Sequence, residues 1–152
     1  MAGLYFEEFE TGQVFRHTMR RTVTEADNVW YSTATCNPAA IHLDEDYCRK
    51  HTEFGQRIVN SGLTLGLMIG LSVGDTTLGT TIGNLGMDEV RFPAPVFHGD
   101  TIRAETEVID VRPSKSRPNQ GIVTLLHRAY NQNDVLVAHC KRAALMMRRP
   151  PQ

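Results

Sequence analysis

The chain has 152 residues, a length typical of one domain with a core that sustains itself. Hydrophobic residues make up 41% and charged residues 22%, which is the balance of a soluble globular protein. The formal net charge of −1 provides no overall attraction to nucleic acid or to an anionic membrane. We therefore expect neither partner, and any bound anion must be held by a local basic cluster.

The cysteines and the N-terminal sequence indicate the cellular compartment. Cys36, Cys48 and Cys140 cannot all pair within one chain, and none belongs to a C-x-x-C motif, which indicates reduced thiols. The N-terminal stretch MAGLYFEEFETG is acidic and lacks the apolar segment of a signal peptide. The longest apolar stretch, residues 58–73, is too short and too interrupted to cross a membrane. These features predict a cytoplasmic protein.

The first half of the chain carries the helical signals. The acidic residues 44–46 suit a helix N-terminus, where negative charge is favoured. Residues 58–73 are apolar around most of the circumference, which predicts a helix buried on nearly all sides. Gly62, Gly66 and Gly70 share one face of this helix. Since each glycine costs a helix about 1 kcal/mol relative to alanine, we expect a sheet to approach that face closely.

The second half of the chain shows the patterns of β-strands. Between residues 101 and 111, Ile102, Ala104, Thr106 and Val108 alternate with charged residues, the period of a half-buried strand. The turn-forming residues 131–134 predict a hairpin, and the prolines at 93 and 95 end the strand before them. Four strands are predicted, at residues 80–90, 101–111, 122–130 and 135–147.

One buried helix followed by long antiparallel strands predicts an α+β fold, with a sheet wrapped around a long central helix. No repeat or linker divides the sequence, so we expect a single domain over residues 1–152, with a flexible tail from about residue 148. A single sheet of this kind leaves an edge strand and an exposed rim that a symmetric partner covers. We therefore expect a homodimer or a larger homo-oligomer.

Three segments resemble the MaoC-like dehydratases, the family of (R)-specific enoyl-CoA hydratases. They are residues 23–27 leading to 37–44, residues 58–63, and residues 90–101, where FPAPVFHGDT is similar to the family's F-x-x-P-V-x-x-G-D-T. The resemblance extends from about residue 6 to residue 147. It implies a hot-dog fold, a hydro-lyase acting on an acyl-CoA thioester, and no cofactor or metal besides the coenzyme A of the substrate.

The catalytic motif of that family, D-x-N-P-L-H, supplies an aspartate and a histidine. The alignment without an insertion places Asn37 at the aspartate and His42 at the histidine, whereas anchoring on Asn37-Pro38 places Thr35 at the aspartate. The carboxylate is missing in both alignments. A neutral residue there, together with residues 67–70, 75–77 and 114–118, resembles the branch that acts on branched dicarboxylyl-CoAs such as mesaconyl-CoA or itaconyl-CoA.

Hydration of an enoyl thioester needs a base, an acid and donors for the enolate oxygen. His42 can serve as the base, because an ordinary imidazole in a peptide titrates at about pH 6.5. The amide of Asn37 can hold the water or fix the imidazole. The backbone N–H groups of Ser61 and Gly62, at the helix start, can bind the oxyanion. The alternatives are that His42 only stabilises a loop and that Gly62 only permits close packing.

A compact basic cluster, defined by Arg112, Lys115, Ser116 and Arg117, could pair with the phosphates of coenzyme A. A solvated loop is the alternative. We expect His51 and His98 at the surface and Cys36 as a structural thiol, and no metal-ligand spacing occurs in the sequence.

Two other functions remain open. A thioesterase would need a carboxylate that activates water, and Asp44 or Glu45 could supply it. A non-catalytic acyl-CoA-binding subunit would explain the missing aspartate.

Overall fold

The computed structural model describes residues 3–151 as five strands, four α-helices and one short 3₁₀ helix. The elements in chain order are the 3₁₀ helix Phe6–Glu8, β1 Val14–Thr22, α1 Glu25–Ala34, α2 Ala40–Leu43, α3 Glu45–His51, α4 Ser61–Thr76, β2 Thr81–Arg91, β3 Thr101–Pro113, β4 Gln120–Tyr130 and β5 Leu136–Met147. None of the helices between residues 3 and 151 is long and apolar enough to cross a membrane.

All five strands form one antiparallel sheet in the order β1-β3-β4-β5-β2. The four predicted strands are confirmed, with ends shifted by one or two residues. The predicted alternation in β3 is also confirmed, because Ile102, Ala104, Thr106 and Val108 are all buried. The predicted hairpin joins β4 to β5, and its turn is closed by a hydrogen bond from the Asn131 amide to the Val135 carbonyl at 3.1 Å.

Helix α4 lies across the sheet and buries one stripe of side chains, formed by Thr64, Met68, Leu71, Ser72 and Thr76. The prediction that this helix is buried on nearly all sides is wrong within a single copy of the chain. Gly66 and Gly70 face away from the sheet, and a Cβ added to either would meet no atom within 4 Å. Gly62 alone of the three is closely approached, since a Cβ there would collide with the hydroxyl of Tyr31.

The apolar stretch predicted as helical begins three residues before α4, which begins at Ser61, the residue predicted to open the buried helix. Ile58 forms an isolated antiparallel bridge with Phe97, and the Val59 amide donates to the Val96 carbonyl at 2.8 Å. Asn60 then caps α4, because its side chain accepts the Gly62 amide hydrogen at 3.0 Å. The chain is therefore extended through residues 58–60, and these residues tie α4 to the segment that precedes β3.

The core beneath α4 contains a row of polar side chains that crosses the sheet. The Arg142 Nε donates to His127 Nε2 at 3.1 Å, and His127 Nδ1 lies 2.9 Å from the Thr106 hydroxyl. The Thr106 hydroxyl also lies 2.8 Å from His17 Nε2, and His17 Nδ1 lies 2.8 Å from an Asp75 carboxylate oxygen. This polar row separates two apolar clusters, one around Met68 and Ile102 and one around Phe6 and Val108, of which the first lies next to the site described below.

The C-terminal residues contact the acidic 3₁₀ helix. Arg149 donates its backbone amide to Glu7 at 3.0 Å and its guanidinium to Glu8 at 2.8 Å. Arg148 lies over the ring of Phe6. Two residues of the predicted flexible tail are thus attached to the domain, while Gln152, its last residue, lies outside the described residues.

Candidate active site

His42 lies in the single turn of α2, and only 7% of the residue is exposed. Its Nδ1 is 2.9 Å from the carbonyl oxygen of Ile58. Because a carbonyl can only accept, Nδ1 carries the ring hydrogen and Nε2 keeps its lone pair. No protein group within residues 3–151 forms a hydrogen bond with Nε2. The geometry therefore leaves His42 Nε2 available as a base for a water molecule.

A largely apolar cavity of about 420 Å³ adjoins the segment that holds the imidazole. One wall comes from the extended residues 58–59, another from the start of α4, and a third from the proline-containing segment before β3. The two prolines keep that segment out of the sheet ladder, so that it forms a wall instead of extending β2. The lining residues are Phe54, Ile58, Val59, Ser61, Thr64, Phe92, Pro93, Ala94, Pro95, Val96 and Val137. An acyl chain of a few carbons fits such a volume.

The two predicted oxyanion donors differ in the structure. Ser61 lines the cavity and opens α4, and its amide has no acceptor within the described residues. The Gly62 amide is not free, since it donates to the Asn60 side chain at 3.0 Å. The close-packing interpretation of Gly62 is supported instead by its approach to Tyr31. The Ser61 amide is therefore the better-placed donor of the two.

Asn37 and Thr35 both make local hydrogen bonds near the ends of helices. Asn37 is half-buried, and its side-chain oxygen accepts the Ala39 amide hydrogen at 3.0 Å, which shapes the turn into α2. The Thr35 hydroxyl donates to the Tyr31 carbonyl at 2.8 Å at the end of α1. The imidazole of His42 is held by Ile58 and not by Asn37. A role of Asn37 in holding water stays a prediction.

The structure does not bring the basic cluster to His42 within one chain. His42 is linked to the segment just before β3, whereas the cluster lies at the far end of β3, with Arg112 in the strand and the other three residues after it. Strand β3 has 13 residues, so at about 3.3 Å per residue the two ends lie roughly 40 Å apart. Arg112, Lys115, Ser116 and Arg117 are exposed there. A contact with the coenzyme at His42 would require the cluster of a second copy.

The remaining histidines and cysteines are placed as follows. His51 is exposed, as predicted, but His98 is half-buried and its Nε2 lies 2.9 Å from the Asn28 side-chain nitrogen. The surface prediction for His98 is therefore wrong. Burial lowers the pKa of His98, and the charge of Arg57 lowers it further. Cys36 is exposed in the turn after α1, with no base bonded to it among the described residues.

The carboxylates considered for a thioesterase have structural partners. Asp44 caps α3 by accepting the Tyr47 amide hydrogen at 2.9 Å. Glu45 accepts from the Arg57 guanidinium at 3.0 Å, and this hydrogen bond holds its pKa below the usual value. Neither residue lines the cavity, and the same holds for His42 and Asn37; what distinguishes the two carboxylates is that structural partners already engage them. The arrangement therefore gives no support to water activation by these two groups.

Two site residues escaped the sequence analysis. Asn28 in α1 is fully buried and bonded to the segments around His42, Ile58 and Asn60, and Asn60 in turn caps α4. The only sequence signal was the N-cap pattern of Thr24 and Asp27, which marks a helix start. Even a correctly predicted α1 would not reveal that Asn28 faces inward, because its partners are distant in the chain.

Comparisons with known proteins agree with the fold. The sequence model described as "MaoC like domain" matches residues 7–131. Mesaconyl-CoA hydratase from Cereibacter sphaeroides is 29% identical, over 97% of this chain and 42% of its own length. Beta-methylmalyl-CoA dehydratase from Chloroflexus aurantiacus is 30% identical, over 98% of this chain and 42% of its own length. The chain thus spans less than half of these two curated relatives.

A solved structure provides the fold comparison. A conserved hypothetical protein from Mycobacterium tuberculosis with a double hot-dog fold matches with a TM-score of 0.87 and 27% identity. The match covers 99% of this chain and 46% of that chain. The predicted hot-dog fold, a sheet wrapped around a central helix, is confirmed.

Proposed function

The chain belongs to the MaoC-like domain family, and from this premise we propose that it catalyses the reversible hydration of a 2-enoyl-CoA thioester. The observation that carries the proposal is the tautomer of His42. Its Nδ1 is committed to the Ile58 carbonyl, and Ile58 itself lines an apolar cavity that also contains the helix start at Ser61. The proposal takes His42 as the base, this cavity as the space for the acyl group and the Ser61 amide as the oxyanion donor; Ile58, which bonds to His42 and lines the cavity, is the contact between them.

In the proposed reaction, His42 Nε2 takes a proton from water as the oxygen adds to the β-carbon of the enoyl group. The electron pair of the double bond moves onto the thioester oxygen, where the Ser61 amide stabilises the enolate. The imidazolium then returns its proton to the α-carbon, so one titrating group serves both steps. Asn37 holds the attacking water, in place of the carboxylate of the family motif.

The substrate we favour is a branched C5 dicarboxylyl-CoA such as mesaconyl-CoA or itaconyl-CoA. The curated relative named mesaconyl-CoA hydratase motivates this choice. No charged side chain lines the cavity within the described residues, so the second carboxylate of such a substrate must lie towards the cavity mouth. We assign this contact to Arg91, which is exposed and adjacent in sequence to the lining residue Phe92, because Arg57, next to Ile58, is already paired with Glu25 and Glu45.

We further propose a cytoplasmic homodimer. Strand β2 forms one edge of the sheet and exposes three large apolar side chains, Ile82, Leu85 and Met87. An unpaired apolar edge normally pairs with another strand. The outward face of α4, with Gly66 and Gly70, is uncovered as well. A second copy would cover an edge and a helix face that one chain leaves open.

An absorbance screen for the loss of enoyl thioester, over a panel of enoyl-CoAs, tests the proposal. His42→Ala should lower the rate by about 10² to 10⁴ while the fold persists. His51→Ala, at an exposed histidine of α3, is the matched control and should retain the wild-type rate. Wild-type turnover in a folded His42→Ala variant would remove His42 from the mechanism.

The missing carboxylate favours one rival, a non-catalytic acyl-CoA-binding subunit, since neither Asn37 nor Thr35 can exchange a proton at neutral pH. Calorimetry with the same panel separates the two functions. Binding without any turnover, across all substrates, would support the binder. Release of free thiol would indicate a thioesterase instead.

A further inference from the structure

Asn28 joins four separate segments of the chain around the candidate base. The residue lies in α1 and is fully buried. Its side-chain oxygen accepts the Asn60 amide hydrogen at 2.8 Å. Its side-chain nitrogen lies 3.3 Å from the His42 carbonyl, 3.1 Å from the Ile58 carbonyl and 2.9 Å from His98 Nε2. These partners are 14 to 70 residues away in sequence.

The orientation of the Asn28 amide follows from its neighbours. The Asn60 backbone amide can only donate, so the side-chain oxygen must face it. The nitrogen then faces two carbonyl oxygens and the unprotonated nitrogen of His98, all of which can only accept. The two hydrogens of the Asn28 side-chain nitrogen are therefore shared among these three acceptors. Every polar atom of Asn28 is engaged, so the side chain has one arrangement that satisfies its surroundings.

This arrangement acts on His42 in two ways. The bond to the His42 carbonyl holds the peptide of the residue, and thus the position from which the ring projects. The bond to the Ile58 carbonyl holds the very oxygen that accepts the hydrogen of the imidazole Nδ1. The Ile58 oxygen therefore accepts hydrogen bonds from both Asn28 and His42. Its position sets both the ring orientation and the tautomer that leaves Nε2 unprotonated.

The same side chain also locates the helix start of the cavity. Asn60, whose backbone amide bonds to Asn28, caps α4 through its own side chain. Ser61, the next residue, supplies the proposed oxyanion donor. The base and the donor come from segments more than ten residues apart, and Asn28 is the shared contact between them.

Resting on the proposed hydration reaction, we infer that Asn28 is a positioning residue. It sets the tautomer of His42 and the position of the His42 ring relative to the start of α4. Nothing in this role requires Asn28 to touch the substrate. A residue with a merely structural role would change stability without changing the ring of His42. The tautomer of His42 is therefore the property that tests the inference.

The test combines ¹⁵N NMR of histidine-labelled full-length protein with steady-state kinetics. The ring signals of His42 are assigned from their loss in His42→Gln. Asn28→Leu removes every polar contact at similar volume, and Asn28→Asp keeps the acceptor for Asn60 but turns a carboxylate oxygen towards two carbonyls. Thr106→Val is the matched control, because Thr106 is also fully buried and bonded to two histidines but contacts neither His42 nor Ile58 through a hydrogen bond.

We expect wild-type His42 to show the Nδ1-protonated form, and both Asn28 variants to show a mixture of tautomers. Their kcat/KM should fall by about 10²-fold, the usual effect of a displacement near 1 Å at a reacting group. Thr106→Val should keep the wild-type ring signals of His42 and lose at most about threefold in rate. If Asn28→Leu does not fold, Asn28→Asp is the variant to be compared.

Two results would overturn the inference. The first is an unchanged His42 tautomer in a folded Asn28 variant, whatever its rate. The second is an equal change of tautomer in Thr106→Val, which would show general loosening of the core. An inactive wild-type protein with the expected ring signals would defeat the proposed reaction and leave the positioning of His42 by Asn28 supported, so the two failures are distinct.

Discussion

Mild acid should destabilise this protein through His127, which is fully buried in β4. Because Arg142 can only donate, His127 Nε2 must be unprotonated where it accepts from the guanidinium. A proton added there would face a second positive charge without an acceptor. Burial, with additional contributions from Arg142 and His17, lowers the pKa of His127 from 6.5 to about 3.

The sign and size of the effect follow from that pKa. Between pH 6.5 and 3 the unfolded chain binds a proton at His127 that the native state does not, so the free energy of unfolding falls as the pH falls. The slope is about 1.4 kcal/mol per pH unit, or about 2 kcal/mol between about pH 6.5 and pH 5. Asp27, Glu45 and Glu89 have lowered pKa values, but in the unfolded chain they titrate at the ordinary 3.8 to 4.5, so their contribution changes mainly below about pH 5.

Urea unfolding at several pH values measures the slope. In His127→Gln a neutral amide replaces the imidazole and can still accept from Arg142, so the slope should become shallower by about 1.4 kcal/mol per pH unit. His98, whose pKa is also lowered, contributes equally in both proteins and cancels. Burial is the larger cause, so Arg142→Met should change the slope less than His127→Gln does. Equal slopes in wild type and His127→Gln would refute the reasoning.

Three further predictions concern the site and the assembly. Gly62→Ala should lower the free energy of unfolding by about 1 to 3 kcal/mol, because its Cβ would meet the Tyr31 hydroxyl; Tyr31→Phe should recover part of the loss in a double-mutant cycle, and purely additive effects would contradict the contact. Asn37→Asp should move the acidic limb of kcat/KM to higher pH, because an added anion favours the protonated imidazole; an unmoved limb with full activity in Asn37→Ala would place Asn37 outside the site. Leu85→Lys, on the exposed edge strand, should give monomers by light scattering at a concentration where the wild type is dimeric, and a monomeric wild type would contradict the assembly.

The elements predicted from the sequence are those whose own pattern determines their environment. Strands β3 to β5 have one buried face or two, so period two or a continuous β-prone run marks them, whereas β2 was predicted although it is an edge strand with mostly exposed residues. Strand β1 and helix α1 escaped prediction. Most residues of β1 are exposed, as expected of an edge strand, and only His17 within it is buried. Helix α1 exposes Trp30 and buries Asn28, the reverse of the usual pattern, so its amphipathic signal is weak.

The same reasoning explains the error about α4. Its sequence is apolar all round, but a sequence does not state whether an apolar face meets the chain's own sheet or another molecule. The glycine face is open in one chain. For the site, a motif pointed to His42 and Ser61, whereas Asn28 depends on contacts across as many as 70 residues. No local pattern encodes such contacts.

The polar network around His42 bears on the choice between a catalyst and a binder. An apolar cavity of this kind binds an acyl group through its walls, and buried polar groups beside it add cost unless every one is satisfied. A binder therefore gains nothing from fixing one tautomer of a buried histidine. Here the Ile58 carbonyl, which also accepts from Asn28, holds the imidazole through Nδ1, and no described residue bonds to Nε2. A single oriented lone pair is what proton abstraction requires, and this favours the proposed hydration over the proposed binder even without the carboxylate.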